Sequence, residues 1–232
     1  MKRIFTRVAA PIGVPLMTVV VLAAQSPGSW NTLFNGKDLS GWSQTGAAQW
    51  KVEDGVIVGG RAEPGRRGSS LVTTDLYKDF ELELEFLLAE YEKDRPAKAE
   101  PPWTYNSGVY VRTGYQVNIG RQEATEFIGV VVHRVSPKAI RGNVLWLDTG
   151  DEKFPSLRRK EDWNHLRISF TGPHLQVWLN GIQICDVTDN PTDPSEAKWK
   201  AAGPIGLQWP SASEGGGFPG FVKYRSIRIR EL

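Results

Sequence analysis

The sequence predicts an all-β domain, a sandwich of two packed sheets. Three observations point there. Apolar residues recur at every second position along several runs, turn-forming dipeptides separate such runs, and no stretch shows the 3.6-residue apolar spacing of an amphipathic helix. Residues 50–53 and 56–59 read as the first hairpin, joined by Asp54-Gly55, a pair that tolerates the positive φ of a type I′ turn. The clearest strand follows: Phe80, Leu82, Leu84, Phe86 and Leu88 make one face, and Glu81, Glu83 and Glu85 the other. Val109 and Val111 alternate with Tyr110 and Arg112, and Tyr115, Val117 and Ile119 with Gln116 and Asn118. Leu166, Ile168 and Phe170 alternate with His165, Arg167 and Ser169. Asn180-Gly181 joins residues 175–179 to 182–186 in a second hairpin, and Ile227 and Ile229 alternate with Arg228 and Arg230. Residues 194–202 offer one short helical turn at most. No internal repeat and no linker divides the chain, so a single β-sandwich domain over residues 30–232 is expected.

Charge and cysteine content narrow the classes. The chain carries 28 Lys and Arg against 26 Asp and Glu. Lys2, Arg3 and Arg7 open a segment with the pattern of an export signal: a basic start, an apolar stretch over residues 8–24, then Ala24-Gln25-Ser26. Pro11, Gly13 and Pro15 interrupt that stretch, whereas a spanning helix needs about 20 apolar residues in succession. Residues 1–25 are therefore expected to be a cleaved signal peptide. The mature chain would then be periplasmic or secreted, with no stable membrane anchor. Taking three from the 28 basic residues leaves 25 against 26 acidic ones, with no basic stripe, which excludes a nucleic-acid partner. Cys185 is the one cysteine, so no internal disulfide exists, and its neighbours Ile182 and Ile184 mark it as a core residue.

Several chemistries lack their motifs. There is no GxSxG elbow, phosphate loop, HExxH or cysteine pair, and His133, His165 and His174 are not spaced as zinc ligands. Asp186, Asp189 and Asp193, or Asp148, Asp151 and Glu152, offer oxygen ligands to calcium, although neither set has the EF-hand spacing. No metal ligand is assigned on that basis. What remains is polar sheet surface beside aromatic residues. Amide, guanidinium and carboxylate groups next to aromatic rings suit a sugar, whose hydroxyls take paired hydrogen bonds and whose C–H face packs on a ring. A solvent-facing sheet laced with charge pairs gives the same pattern. Long polar connections at residues 60–68, 90–105, 148–162, 187–202 and 210–220 are the expected rims of any site.

One resemblance covers about residues 30–230. Residues 30–42 (WNTLFNGKDLSGW) resemble the opening of the 3-keto-disaccharide hydrolase domain family, also described as 3-keto-glucoside 1,2-lyases and 3-keto-2-hydroxyglucal hydratases. Further matches follow in order: residues 50–55, Asp79-Phe80 with Glu85-Phe86, Asn106-Ser107-Gly108-Val109 with Arg112, Asp162-Trp163-Asn164, Leu179-Asn180-Gly181, residues 203–208 and Ile227-Arg228-Ile229. The resemblance implies a concanavalin A-like jelly-roll β-sandwich that binds a carbohydrate, specifically a 3-keto-glucoside. It implies removal of the C2 proton, expulsion of the anomeric substituent and return of water. Two positions depart from the family pattern. Gln116 stands where a carboxylate is usual, and Trp209-Pro210 follows Gln208 where Asp-His is usual. The resemblance makes Glu85 the first candidate for the base, with Glu126 and His133 as alternatives. It makes Asn106, Ser107, Arg112, Gln116, Asn118 and Gln208 the candidate sugar-binding residues, and Trp209 a stacking platform. A non-catalytic lectin-like module of the same fold is the other reading.

Overall fold

The computed structural model describes residues 28–47, 49–59, 69–89, 105–122, 125–126, 128, 131–133, 143–144, 157–159, 162–191, 193–209 and 221–232. The expected signal peptide lies outside the described residues, as does most of the long connections named above. In chain order the strands are β1 (Asn31–Thr32), β2 (Trp42–Thr45), β3 (Lys51–Glu53), β4 (Val56–Gly59), β5 (Ser70–Thr73) and β6 (Phe80–Ala89). Then come β7 (Tyr105–Val111), β8 (Tyr115–Gln122), β9 (Thr125–Glu126), β10 (Val131–His133) and β11 (Asn143–Val144). The last are β12 (Asn164–Thr171), β13 (His174–Leu179), β14 (Ile182–Thr188), β15 (Ile205–Gln208) and β16 (Phe221–Glu231). Two short 3₁₀ turns, Pro194–Glu196 and Lys198–Lys200, stand where one helical turn is expected.

These strands form two antiparallel sheets. The larger has the order β11-β14-β13-β12-β6-β16-β4-β3, with β1 beside β16. The smaller has the order β10-β8-β7-β15-β5-β2, with β9 beside β8. Both expected hairpin turns form, with positive φ at Asp54, Gly55, Asn180 and Gly181. The core lies between the sheets. Leu82, Leu84, Phe86, Leu166, Ile168 and Val177 from the larger sheet meet Val109, Val111, Val117, Ile119, Ile205 and Leu207 from the smaller, all without solvent exposure. The period-two pattern therefore assigns the inward faces correctly along β6, β8 and β12.

Arg112 departs from it. Alternation would set Arg112 beside Tyr110, on the face away from the core. Instead the chain leaves β7 there with a φ of 53° and the side chain turns underneath, fully buried. Gly203 makes this possible, because a Cβ at that position would stand 2.6 Å from the Arg112 Cα. Among the described residues no helix is long and apolar enough to cross a membrane.

Candidate functional site

The outward face of the smaller sheet is built from β8, β7 and β15. In register, Gly108 pairs with Asn118, Tyr110 with both Gln116 and Gly206, and Gln208 with Ser70 on β5. Since Val109, Val117 and Leu207 point into the core, their neighbours Gly108, Tyr110, Gln116, Asn118, Gly206 and Gln208 share the opposite face. Two glycines shape that face. A Cβ on Gly108 would come within 2.6 Å of Gln116 Nε2, so its absence lets the Gln116 amide lie across β7 and reach β15. A Cβ on Gly206 would come within 2.9 Å of the Tyr110 ring in the same way. Interior strand glycines commonly mark such close approaches.

Three amides meet over Gly108. Gln116 Nε2 donates to Asn118 Oδ1 at 2.9 Å and to Gln208 Oε1 at 2.6 Å. Gln116 and Asn118 are buried, at 6% and 7% exposure, although they face away from the core. Burial of polar groups demands partners, and the mutual bonds supply them on the inner side. On the outer side, no bond from another described residue engages Gln116 Oε1, Asn118 Nδ2 or Gln208 Nε2. The cluster can therefore offer two N–H groups and one carbonyl to a ligand. Among the described residues no carboxylate or imidazole hydrogen-bonds to it.

The remaining sequence candidates lie elsewhere. Glu85 is on β6 in the other sheet, on its outward face, so β6 is not a neighbour of β7 or β8. Its carboxylate accepts from Arg225 Nε at 2.8 Å and Ser226 Oγ at 2.9 Å. The Arg225 bond, ahead of an opposing burial effect, holds its pKa below the ordinary value. Such a group is a weak base without access to the amide cluster. Glu81 and Glu83 continue the row, paired with Arg230 and Arg228, while Trp30 packs against both guanidiniums. The acidic face predicted from the sequence is thus a charge-paired surface remote from Gln116 and Asn118. Ser107 turns toward the core, where Oγ donates to the Gln208 carbonyl at 2.8 Å and lies 3.2 Å from Tyr224 Oη. Trp209 is no stacking platform: it is buried, and its ring meets Trp50 edge-on at 5.3 Å.

Arg112 works as a clamp between the sheets. Its guanidinium donates to Asp79 Oδ1 and to the carbonyls of Phe170, Gly172 and Trp199, at 2.5–2.9 Å, and stacks 3.8 Å from the Phe170 ring. Burial lowers its pKa while Asp79 opposes the shift. Tyr115, next to Gln116, adds a second tie: its hydroxyl donates to Asp189 and accepts from the Trp199 N–H. Burial, reinforced by Asp189, pushes that phenol upward. Both ties anchor the β7–β8 hairpin, which carries Gln116 and Asn118.

Backbone register places the other candidates without describing their side chains. Asn106 pairs with Gly120, one step along the row from Gly108 and Asn118. Val132, not His133, is the partner of Gln116, and Glu126 pairs with Arg121. The side chains of Asn106, Glu126 and His133 lie outside the described residues. Of the proposed calcium ligands, Asp148, Asp151 and Glu152 also lie outside them. Asp186 is engaged by His174, Gln176 and Gln183, Asp189 by Tyr115, and Asp193 by the Ser195 N–H. Among the described residues no three His, Cys, Asp or Glu side chains come together as a metal site. Tyr110 also lies on this face, and Gly206, a glycine inside an apolar run, is the sequence signal for its close approach.

The model of the 3-keto-α-glucoside-1,2-lyase-like domain family matches residues 29–230. The chain belongs to this family. That makes it a carbohydrate-active protein, and its fold is the concanavalin A-like jelly roll. No curated protein matches it in sequence. A protein from Parabacteroides distasonis assigned as a glycosyl hydrolase superposes with a TM-score of 0.55 at 24% identity, covering 88% of this chain and 100% of that one. The Bacillus licheniformis β-glucanase gives 0.53 at 11% identity, over 90% and 100% of the two chains. The carbohydrate recognition domain of Emp46p gives 0.52 at 11%, over 85% and 91%. At these identities the likeness concerns the fold, which serves both an enzyme and a sugar-recognition domain. The lyase-like domain here thus presents two contrasting outward faces, one charge-paired and one carrying a cluster of amides.

Proposed function

We propose that this lyase-like domain acts on 3-keto-glucosides at the outward face of its smaller sheet, and that it does so after export to the periplasm or beyond. The observation that carries the reading is the buried amide cluster of Gln116, Asn118 and Gln208, with donors and an acceptor left for a ligand. The chemistry asks little of the protein. A C3 ketone acidifies the C2 proton, a base removes it, and the electrons move onto the C3 oxygen as an enolate. Collapse of the enolate breaks the C1–O bond, and the departing alkoxide takes up a proton to leave as an alcohol. Water then adds across the resulting 2-hydroxyglucal, so the net change is hydrolysis. N–H groups facing the C3 oxygen stabilise the enolate as it forms. The candidates for the base remain Glu126 on β9 and His133 on β10, two strands that each pair with β8.

The lack of any carboxylate or imidazole bonded to the amides among the described residues favours a second reading, a sugar-binding module without turnover. One assay separates the two. Chelator-treated mature protein is offered 3-keto-glucosides and the parent glucosides, with and without calcium. Release of the aglycone from the keto sugar alone supports the lyase, and a rate limb on the pH profile that vanishes in Glu126→Gln or His133→Asn identifies the base. Binding with no turnover moves the domain to the sugar-binding class.

A further inference from the structure

We infer that Tyr224, a buried phenol on the larger sheet, is a positioning residue for the Gln208 amide on the far side of the smaller sheet, and that it acts through Ser107. The inference rests on the proposed site and names a group that holds it in place. The register of β15 with β7 ends at Leu207–Val109. One residue further on, the Gln208 carbonyl accepts from the Ser107 hydroxyl at 2.8 Å, so a side chain extends the tie where the ladder stops. A carbonyl cannot donate, so the Ser107 hydrogen is spent on it. The 3.2 Å contact between Ser107 Oγ and Tyr224 Oη must then carry the Tyr224 hydrogen. The result is a one-way chain that runs from Tyr224 to Ser107 to the Gln208 carbonyl. On the outward face the same Gln208 accepts from Gln116 Nε2 at 2.6 Å, which brings the chain to the amide cluster.

Packing alone does not call for that hydroxyl. Tyr224 is fully buried in a core whose other large rings include Phe80, Phe86 and Phe170. A buried hydroxyl costs free energy unless it is bonded, and a phenylalanine would fill the same space without that demand. Burial pushes the Tyr224 phenol upward despite the bond to Ser107, so its hydrogen is retained at neutral pH. The phenol is also well held. Its backbone pairs with Ile57 on β4 and Phe86 on β6, and its ring lies 6.3 Å from that of Trp50. Trp50 in turn meets the ring of Trp209, the residue after Gln208, and the Trp209 N–H donates to the Ser69 carbonyl. Gln208 is thus fixed at its own carbonyl and at the next peptide by groups on the core side of the sheet, the kind of support a precise site requires.

The test uses full-length Tyr224→Phe, Ser107→Ala and the double variant, with Ile168→Val as a core truncation that touches no hydroxyl. The side-chain N–H₂ resonances of Gln208 and Gln116 in proton–nitrogen correlation spectra report on the cluster whether or not a ligand binds. Calorimetric titration with methyl α-glucoside and its 3-keto derivative reports on the site. Tyr224→Phe and Ile168→Val should each lower the unfolding midpoint by a few degrees. Only Tyr224→Phe should displace the two amide resonances, and it should weaken sugar binding about fivefold, the worth of one hydrogen bond. Because Tyr224 acts through Ser107, the double variant should match Ser107→Ala in both resonances and affinity. If Tyr224→Phe moves the resonances no further than Ile168→Val does, the phenol is a core residue only and the inference fails. If the double variant is displaced beyond Ser107→Ala, Tyr224 reaches the site by another route and the chain is wrong. A wild type that binds neither sugar overturns the proposed function instead, and the resonances still decide the role of Tyr224.

Discussion

Removing the Arg112 guanidinium should destabilise the fold by an amount that the structure lets us work out. Arg112→Met keeps an unbranched apolar stem but ends short of the guanidinium, whose Cζ stacks on Phe170. It removes a buried cation that serves four acceptors: Asp79 and the carbonyls of Phe170, Gly172 and Trp199. Asp79 Oδ1 would retain only the Gly172 N–H at 2.7 Å, and three carbonyls would lose this donor. Breaking a buried charged pair by deleting one partner costs about 3–5 kcal/mol, because the other partner keeps its desolvation penalty. Asp79 is partly exposed, which points to the lower end of that range. In a domain of about 200 residues each kcal/mol moves the midpoint about 2–4 °C, so a fall of roughly 10 °C is expected. Arg112→Lys should fall part of the way, since an ammonium can meet Asp79 but lacks the planar fork that reaches the other acceptors. Circular dichroism melts at pH 7 measure both variants. An Arg112→Met midpoint within about 2 °C of the wild type would refute the reasoning, since the four bonds would then do no more than offset the cost of burying the charge.

Three further outcomes are expected. Glu85→Gln should leave turnover of a 3-keto-glucoside unchanged, because Glu85 lies on the other sheet. It should also lower stability by less than about 1 kcal/mol at pH 7, the measure of a half-exposed pair. The bond from Arg225 holds the folded-state pKa below its ordinary 4.5, so this contribution is present above that value and is lost as pH falls through the folded pKa. Urea titrations at pH 7 and at acid pH check the sign: the wild type and variant should converge in acid. Gly108→Ala forces a methyl group within 2.6 Å of Gln116 Nε2 and 2.9 Å of the Val117 carbonyl, and should weaken sugar binding in calorimetry at least tenfold with a midpoint loss of a few degrees. Cys185 is buried, and burial with the nearby Asp186 charge pushes its thiol up to about 11. It should resist a disulfide reagent at pH 8 in the native protein and react fully in denaturant; fast native labelling would contradict this packing.

Much of the fold could be read from alternation alone. The inward faces of β6, β8 and β12 and both Gly-containing hairpins follow from residue type and position, because a half-buried strand sorts its side chains by solvation. Strand partnership could not be read this way. Glu81, Glu83 and Glu85 show a polar face, as do Gln116 and Asn118, but nothing local distinguishes two faces that lie on opposite sides of the molecule. The pairing of β6 with β12 and β16, and of β15 with β5 and β7, spans many residues and is decided by long-range packing. Arg112 failed for a local reason: one positive φ ends the alternation, and its partners at Asp79, Gly172 and Trp199 are distant in sequence. Of the predicted binding residues, the structure joins Gln116, Asn118 and Gln208. Interior glycines at 108 and 206 mark this face in the sequence, because each admits a side chain that a Cβ would displace.

The contrast between the two outward faces follows from what each set of groups needs in order to be held in place. A carboxylate held on a sheet is stabilised by a cation, and the cation that stabilises it also lowers its basicity and fills its lone pairs. Arg225, Arg228 and Arg230 do this along β16, which makes the glutamate row ordered and chemically quiet. Amides carry no net charge, so burial costs them only hydrogen bonds, and three of them can satisfy one another on one side while staying open on the other. A neutral cluster can therefore be both buried and available, whereas a row of paired ions on a sheet face cannot. That asymmetry is why the candidate site belongs on β7, β8 and β15 rather than on the more conspicuous acidic strand. It also requires the base, on the enzymatic reading, to arrive from a neighbouring segment, since a charged group inside the amide cluster would upset the bonds that hold it.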